Sequence, residues 1–115
     1  MTMKTLRADE SAEPVDSEEL EISSALFRAL GEPARLQILV HLHLGPHRVT
    51  DLVAHLGLAQ STVSQHLACL RDCGLVESRP QGRASFHSLV PGVPIDALLV
   101  AAGAVTAVAE RAEGH

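Results

Sequence analysis

The apolar positions follow helical spacing, then strand spacing, then helical spacing again. Leu20, Ser23, Ala25, Leu26, Phe27 and Leu30 form a mostly apolar stripe, opened by Asp16 with Glu19 at capping-box distance and closed by Gly31. A first helix is predicted from Asp16 to Leu30. Pro33 suits the first turn of a second helix, where Leu36, Ile38, Leu39, Val40 and Leu42 are dense enough to be largely buried, before Gly45 and Pro46 stop it. Thr50 is expected to cap a short helix through Leu52, Val53 and Leu56. Gly57 then makes a turn, and a longer helix runs from Gln60 to Cys73 before Gly74 ends it. Short helix, tight turn, longer helix is the helix-turn-helix pattern.

Leu75 to Arg79 and Ala84 to Leu89 read as strands on either side of Pro80-Gln81-Gly82-Arg83, whose composition is that of a turn, so a hairpin or wing follows. Pro91, Gly92 and Pro94 break the chain. Pro94 can open a last helix with Ile95, Leu98, Leu99, Ala102, Val105 and Val108 on one broad face, and its other face is also mostly Ala and Val. A terminal helix apolar nearly all round needs burial on more than one side, which one small protomer does not offer, so it is expected to pack against its twin. An ordinary core helix is the alternative. The fold expected is mainly α with a small β-hairpin: a winged helix-turn-helix, homodimeric through its first and last helices. The expected organisation is a disordered acidic arm over 1–15, a DNA-binding and dimerisation domain over 16–112, and a tail over 113–115.

With 115 residues the chain fits one domain. It has no Trp or Tyr, and Phe only at Phe27 and Phe86, so the core must be aliphatic and stacking on unpaired bases is not its chemistry. Reading duplex DNA needs no aromatic side chains. A formal net charge of -5 looks wrong for that task until the chain is divided. Residues 1–34 carry three basic against eight acidic side chains, residues 35–90 carry five against three with six of the seven histidines, and the remainder carries one against three. The middle can therefore face phosphates while both ends face away, with few phosphate contacts per protomer. No apolar leader opens the chain, and the stretch from Ala97 to Ala109 is too short to span a bilayer, so a cytoplasmic protein without a membrane partner is expected. Ser, His and carboxylates show no nucleophile or acid-base spacing, which argues against an enzyme.

The second helix of a helix-turn-helix enters the major groove through residues near its N-terminus. Here those are Gln60, Ser61, Thr62, Ser64, Gln65 and His66, while Val63, Leu67 and Leu70 point inward. Gln can pair bidentately with adenine, and Ser, Thr and His can reach bases or phosphates. A plain solvated face is the alternative. Arg79 and Arg83, expected to flank the hairpin tip, suit the adjacent minor groove or its phosphates and favour double-stranded operator DNA as the partner.

Cys69 and Cys73 lie four apart, on one helical face within about 5–6 Å of each other. Thiolate pairs favour soft or borderline ions such as cadmium, lead, zinc, copper(I) or arsenite, but two sulfurs leave coordination incomplete. The alternatives are small buried packing residues or oxidisable thiols, although an i, i+4 pair is awkward for a disulfide. His41, His43, His47 and His55 are spread over a helix, a loop and another helix, and read as surface or packing histidines.

The run Phe27-Arg28-Ala29-Leu30-Gly31-Glu32-Pro33-Ala34-Arg35-Leu36-Gln37-Ile38-Leu39, with Val49-Thr50-Asp51-Leu52 and Gln60-Ser61-Thr62-Val63-Ser64-Gln65-His66-Leu67, closely resembles the ArsR/SmtB family. Leu70-Arg71-Asp72-Cys73-Gly74-Leu75-Val76 and Gly82-Arg83 extend the resemblance, which covers roughly residues 20 to 108. It implies a homodimeric repressor released from DNA by an inducer, commonly a metal ion. The stretch from His66 to Leu75 is similar to the cadmium- and lead-sensing, CmtR-type branch, in which a cysteine from the partner's C-terminal tail completes the site. This chain has no third cysteine, and His115 stands near the corresponding place. The resemblance thus implies a metal set of Cys69, Cys73 and His115, holding a soft divalent inducer, cadmium or lead, with zinc also admissible. Glu110, Glu113 or a carboxylate of the partner's acidic arm are the other candidates for the third ligand. Other metal sites of the family are absent, with Arg48 and Thr50 in place of one cysteine pair and Pro91, Val93, Ala104 and Ala107 near the places of another set. The function expected is a repressor that releases its operator on binding a soft metal. The rivals are a repressor of the same fold answering oxidants or a non-metal ligand, and a dimeric protein-interaction module that does not bind DNA.

Overall fold

The structure, a computed structural model, describes residues 16–113. The expected arm over 1–15 and the last two residues, including His115, lie outside the described residues. Helix α1 (Ser17–Leu30) begins where Asp16, in extended backbone, accepts a hydrogen bond from the Glu18 N–H at 3.1 Å. Glu18 and Glu19 in its first turn complement the helix dipole, and Gly31 takes the C-cap. Helix α2 (Pro33–His43) starts on the Glu32 carboxylate, which accepts from the Ala34 N–H at 3.1 Å, with Pro33 pre-set for the first turn.

Helix α3 (Val49–Leu56) opens earlier than expected. Arg48, not Thr50, holds the cap position, because the Asp51 carboxylate reaches back to accept the Arg48 N–H at 2.9 Å. Thr50 is already helical. Gly57 ends α3 with φ 70°, a left-handed conformation that a side chain would strain, and so sets the tight turn into α4 (Gln60–Asp72). Cys73 sits at the C-cap of α4 rather than inside the helix.

Strands β1 (Val76–Gln81) and β2 (Ala84–Leu89) pair antiparallel, from Val76 opposite Leu89 to Gln81 opposite Ala84. The turn is Gly82-Arg83 alone, with Gly82 at φ 64°. Pro80 and Gln81, expected in the turn, belong to β1; a two-stranded sheet has only edge strands, which tolerate proline. Helix α5 (Ile95–Glu113) completes the chain.

The core is aliphatic: Leu30, Ile38, Leu39, Leu42, Leu52, Val63, Leu67, Leu70, Val76 and Ile95 cluster around α2. Burial of α2 is one-sided, since Val40, expected inside, is 44% exposed. The outer helices join this core only near one end, through Leu30 of α1 and Ile95 of α5. Along α5 only Ile95 is buried, while Val100, Val105 and Val108 are 73%, 69% and 58% exposed. Leu20, Ile22 and Phe27 of α1 are exposed as well, so the protomer leaves uncovered apolar surface on both its first and its last helix. Among the described residues, no helix is long and apolar enough to cross a membrane.

Candidate nucleic-acid interface and cysteine pair

Helix α4 is anchored from within by Val63, Leu67 and Leu70, all fully buried. That anchoring turns Gln60, Ser61, Ser64 and Gln65 to solvent and leaves Thr62 and His66 half-buried along one edge. His66 is not free: its Nδ1 lies 3.3 Å from Nη1 of Arg35 on α2, and Arg35 Nε donates to the Ala29 carbonyl at the end of α1. Arg35 therefore ties three helices together beside the N-terminal half of α4. Sequence reasoning counted it only as a charge.

Arg83 occupies the wing turn and is exposed. Arg79 lies further down β1, opposite Phe86, and its Nη2 pairs with Glu77 Oε2 at 3.3 Å while staying 76% exposed. The two arginines thus do not both flank the tip, as expected, and only Arg83 belongs to it.

The wing is held to the helices by contacts that no sequence periodicity announces. Arg71 of α4 donates to Ser78 Oγ at 3.4 Å, and that oxygen lies 2.7 Å from Nδ1 of His87, which is 6% exposed. Burial pushes the His87 imidazole below its usual pKa, and the Arg71 charge acts in the same direction. The backbones of His47 and His87 exchange hydrogen bonds of 2.9 and 2.8 Å, and the Arg48 guanidinium lies 5.9 Å from the Phe86 ring centroid. The start of α3, the end of α4 and the wing are joined through these contacts.

At the same C-terminal end of α4, Cys69 is half-buried and Cys73 exposed, both as free thiols, so neither fills the core. Burial raises the Cys73 thiol pKa, and the charge and hydrogen bond of neighbouring Cys69, followed by Asp72, raise it further; Arg35 opposes them. The pair supplies two adjacent soft donors. Among the described residues, no three His, Cys, Asp or Glu side chains stand in metal-holding geometry. Two sulfurs alone leave a metal's coordination incomplete, and Glu110 and Glu113 are exposed in the last turns of α5.

Three of the four histidines expected as surface or packing residues pack on one another. His41, His47 and His55 converge, with ring centroids 4.8 Å apart for His41 and His55, 5.6 Å for His47 and His55, and 6.1 Å for His41 and His47. His43 turns away and pairs with Asp96 at 3.1 Å, linking α2 to α5.

Residues 32–78 match the family described as "Bacterial regulatory protein, arsR family". Over the winged fold, the solved HlyU of Vibrio cholerae N16961 superposes with a TM-score of 0.67 and 31% identity, covering 78% of this chain and 97% of HlyU. The chain belongs to the arsR family. The HTH-type transcriptional regulator CmtR of Mycobacterium tuberculosis is 50% identical to this arsR-family chain over 64 residues, 56% of this chain and 54% of CmtR, so the match spans about half the length of that curated relative. The homodimeric winged helix-turn-helix DNA-binding domain Mb0332 of Mycobacterium bovis superposes with a TM-score of 0.67 at 25% identity, over 89% of each chain. These relatives are transcriptional regulators, not enzymes.

Proposed function

We propose that this arsR-family regulator is a homodimeric repressor that leaves its operator when a soft metal ion is captured by Cys69 and Cys73. The observation that carries the reading is the layout of α4: one rigid helix presents Gln60, Ser61, Thr62, Ser64, Gln65 and His66 near its start and the cysteine pair at its end. An ion that pulls on the last turn acts on the same body that enters the major groove. Arg83, with Arg79 behind it, meets the flanking phosphates or minor groove. The uncovered apolar faces of α1 and α5 pack against those of a second copy, and this places two reading helices on a two-fold site.

The ion is thiophilic, cadmium or lead, with zinc also accommodated, and His115 completes the ligand set. Capture requires both cysteines as thiolates, and the raised Cys73 pKa makes uptake release protons and strengthen with rising pH. Release needs a coupling between ion and DNA of about 1–3 kcal/mol. The test is a cadmium titration of the reduced protein, following ultraviolet sulfur-to-metal absorption and binding to the promoter of its own gene together. Saturation at one ion per protomer with simultaneous DNA release supports the proposal. DNA binding without an absorption band assigns the inducer elsewhere, and no DNA binding at low salt favours a protein-interaction module.

A further inference from the structure

Three imidazoles from three separate segments meet where α2, the loop before α3, and α3 come together. We infer that His41, His47 and His55 form a second ion site, distinct from the cysteine pair, for a borderline divalent cation such as zinc, nickel or cobalt. The spacing suits it. An ion about 2.0–2.1 Å from one nitrogen of each of three imidazoles sets the ring centroids roughly 5 Å apart at tetrahedral angles. The observed separations are 4.8, 5.6 and 6.1 Å.

The hydrogen bonding suits it as well. Nδ1 of His41 lies 2.8 Å from the Gln37 carbonyl, and Nδ1 of His47 lies 2.7 Å from the Gly45 carbonyl. A carbonyl only accepts, so each Nδ1 carries its proton and each Nε2 presents a lone pair, the arrangement that prepares histidine to ligate. His55 is exposed and makes no hydrogen bond among the described residues. As the rings lie, His41 and His55 stack at 27° and no three nitrogens converge on one point. Closing the site therefore requires the rings to reorient, and His55, exposed and without a hydrogen bond among the described residues, is free to turn about a terminal torsion with a broad minimum. Asp51, one helical turn before His55 on α3, is an oxygen donor on the same side, at present held by Arg48.

The position gives the site a consequence for DNA. His47 is the residue whose backbone pairs with His87 in the wing, so an ion held there clamps the wing root to α2 and α3.

Cobalt(II) serves as the probe, titrated into the full chain carrying Cys69→Ser and Cys73→Ser, where thiolate capture is impossible. One cobalt per protomer is expected, with visible ligand-field bands, no sulfur-to-metal absorption, and displacement by zinc. Adding His55→Gln should weaken cobalt binding by about tenfold or more. Because His55 is exposed, the metal-free melting curve of that variant should match its parent, which separates loss of a ligand from loss of fold; His41→Gln gives a second, independent ligand deletion. Absence of cobalt binding in the cysteine-free chain, or binding that neither His55→Gln nor His41→Gln weakens, would overturn the inference and leave the three rings as packing.

Discussion

Replacing Ser78 with alanine removes one oxygen, and with it the side-chain hydrogen bond described between α4 and the wing. The hydroxyl accepts from Arg71 and stands 2.7 Å from Nδ1 of His87, a residue 6% exposed. Leaving that nitrogen unpaired costs about 1–3 kcal/mol, whereas the exposed Arg71 contact at 3.4 Å is worth less than about 1 kcal/mol. For a domain of this size each kcal/mol lowers the melting midpoint by roughly 4–8 °C. Ser78→Ala should therefore melt several degrees below the parent, Arg71→Ala only slightly below, and Ser78→Thr close to it. Differential scanning calorimetry at one fixed protein concentration is the assay, so that self-association contributes equally to every midpoint. A Ser78→Ala protein within about 0.5 kcal/mol of its parent would refute the claim that this hydroxyl secures the wing.

Two further outcomes concern other residues of the wing. His87 has its pKa held below the ordinary 6.5 by burial and by Arg71, so as pH falls the unfolded chain takes up the proton first. Stability is present above about pH 6.5 and drains away as pH drops through that value towards the folded pKa. Urea melts between pH 8 and pH 5 should show this decline and His87→Gln should flatten it; an unchanged or rising stability speaks against it. Arg83→Ala deletes one phosphate contact per protomer, and the slope of log affinity for operator DNA against log salt should become shallower by about 1.8 for a dimer. An unchanged slope places Arg83 away from the backbone.

Much of the fold was legible because its signals are local. Asp16, Gly31, Pro33, Gly57 and Gly74 each act through the backbone within one or two residues, and the helix-turn-helix unit follows from them. Errors arose where a side chain outcompeted a local preference. Asp51 capped α3 from inside and moved its start ahead of Thr50, and strand pairing drew Pro80 and Gln81 out of the expected turn. For the candidate site, spacing alone put the polar residues of α4 on its outer face and Cys69 beside Cys73. The link from Arg35 to His66 and the meeting of His41, His47 and His55 depend on how α2 packs against α3 and α4, which no periodicity encodes. Ser78 meets His87 through the hairpin register, and Arg71 reaches Ser78 from the end of α4.

The central claim is an energetic link between the cysteine pair and the DNA-reading surface of one helix. Fluorescence anisotropy of labelled promoter DNA, with and without saturating cadmium, measures it for the parent protein and for Cys69→Ser with Cys73→Ser. Cadmium should weaken the parent's binding by about 5- to 150-fold and leave the double variant unmoved. An equal cadmium response in both proteins, or none in the parent, would contradict the account.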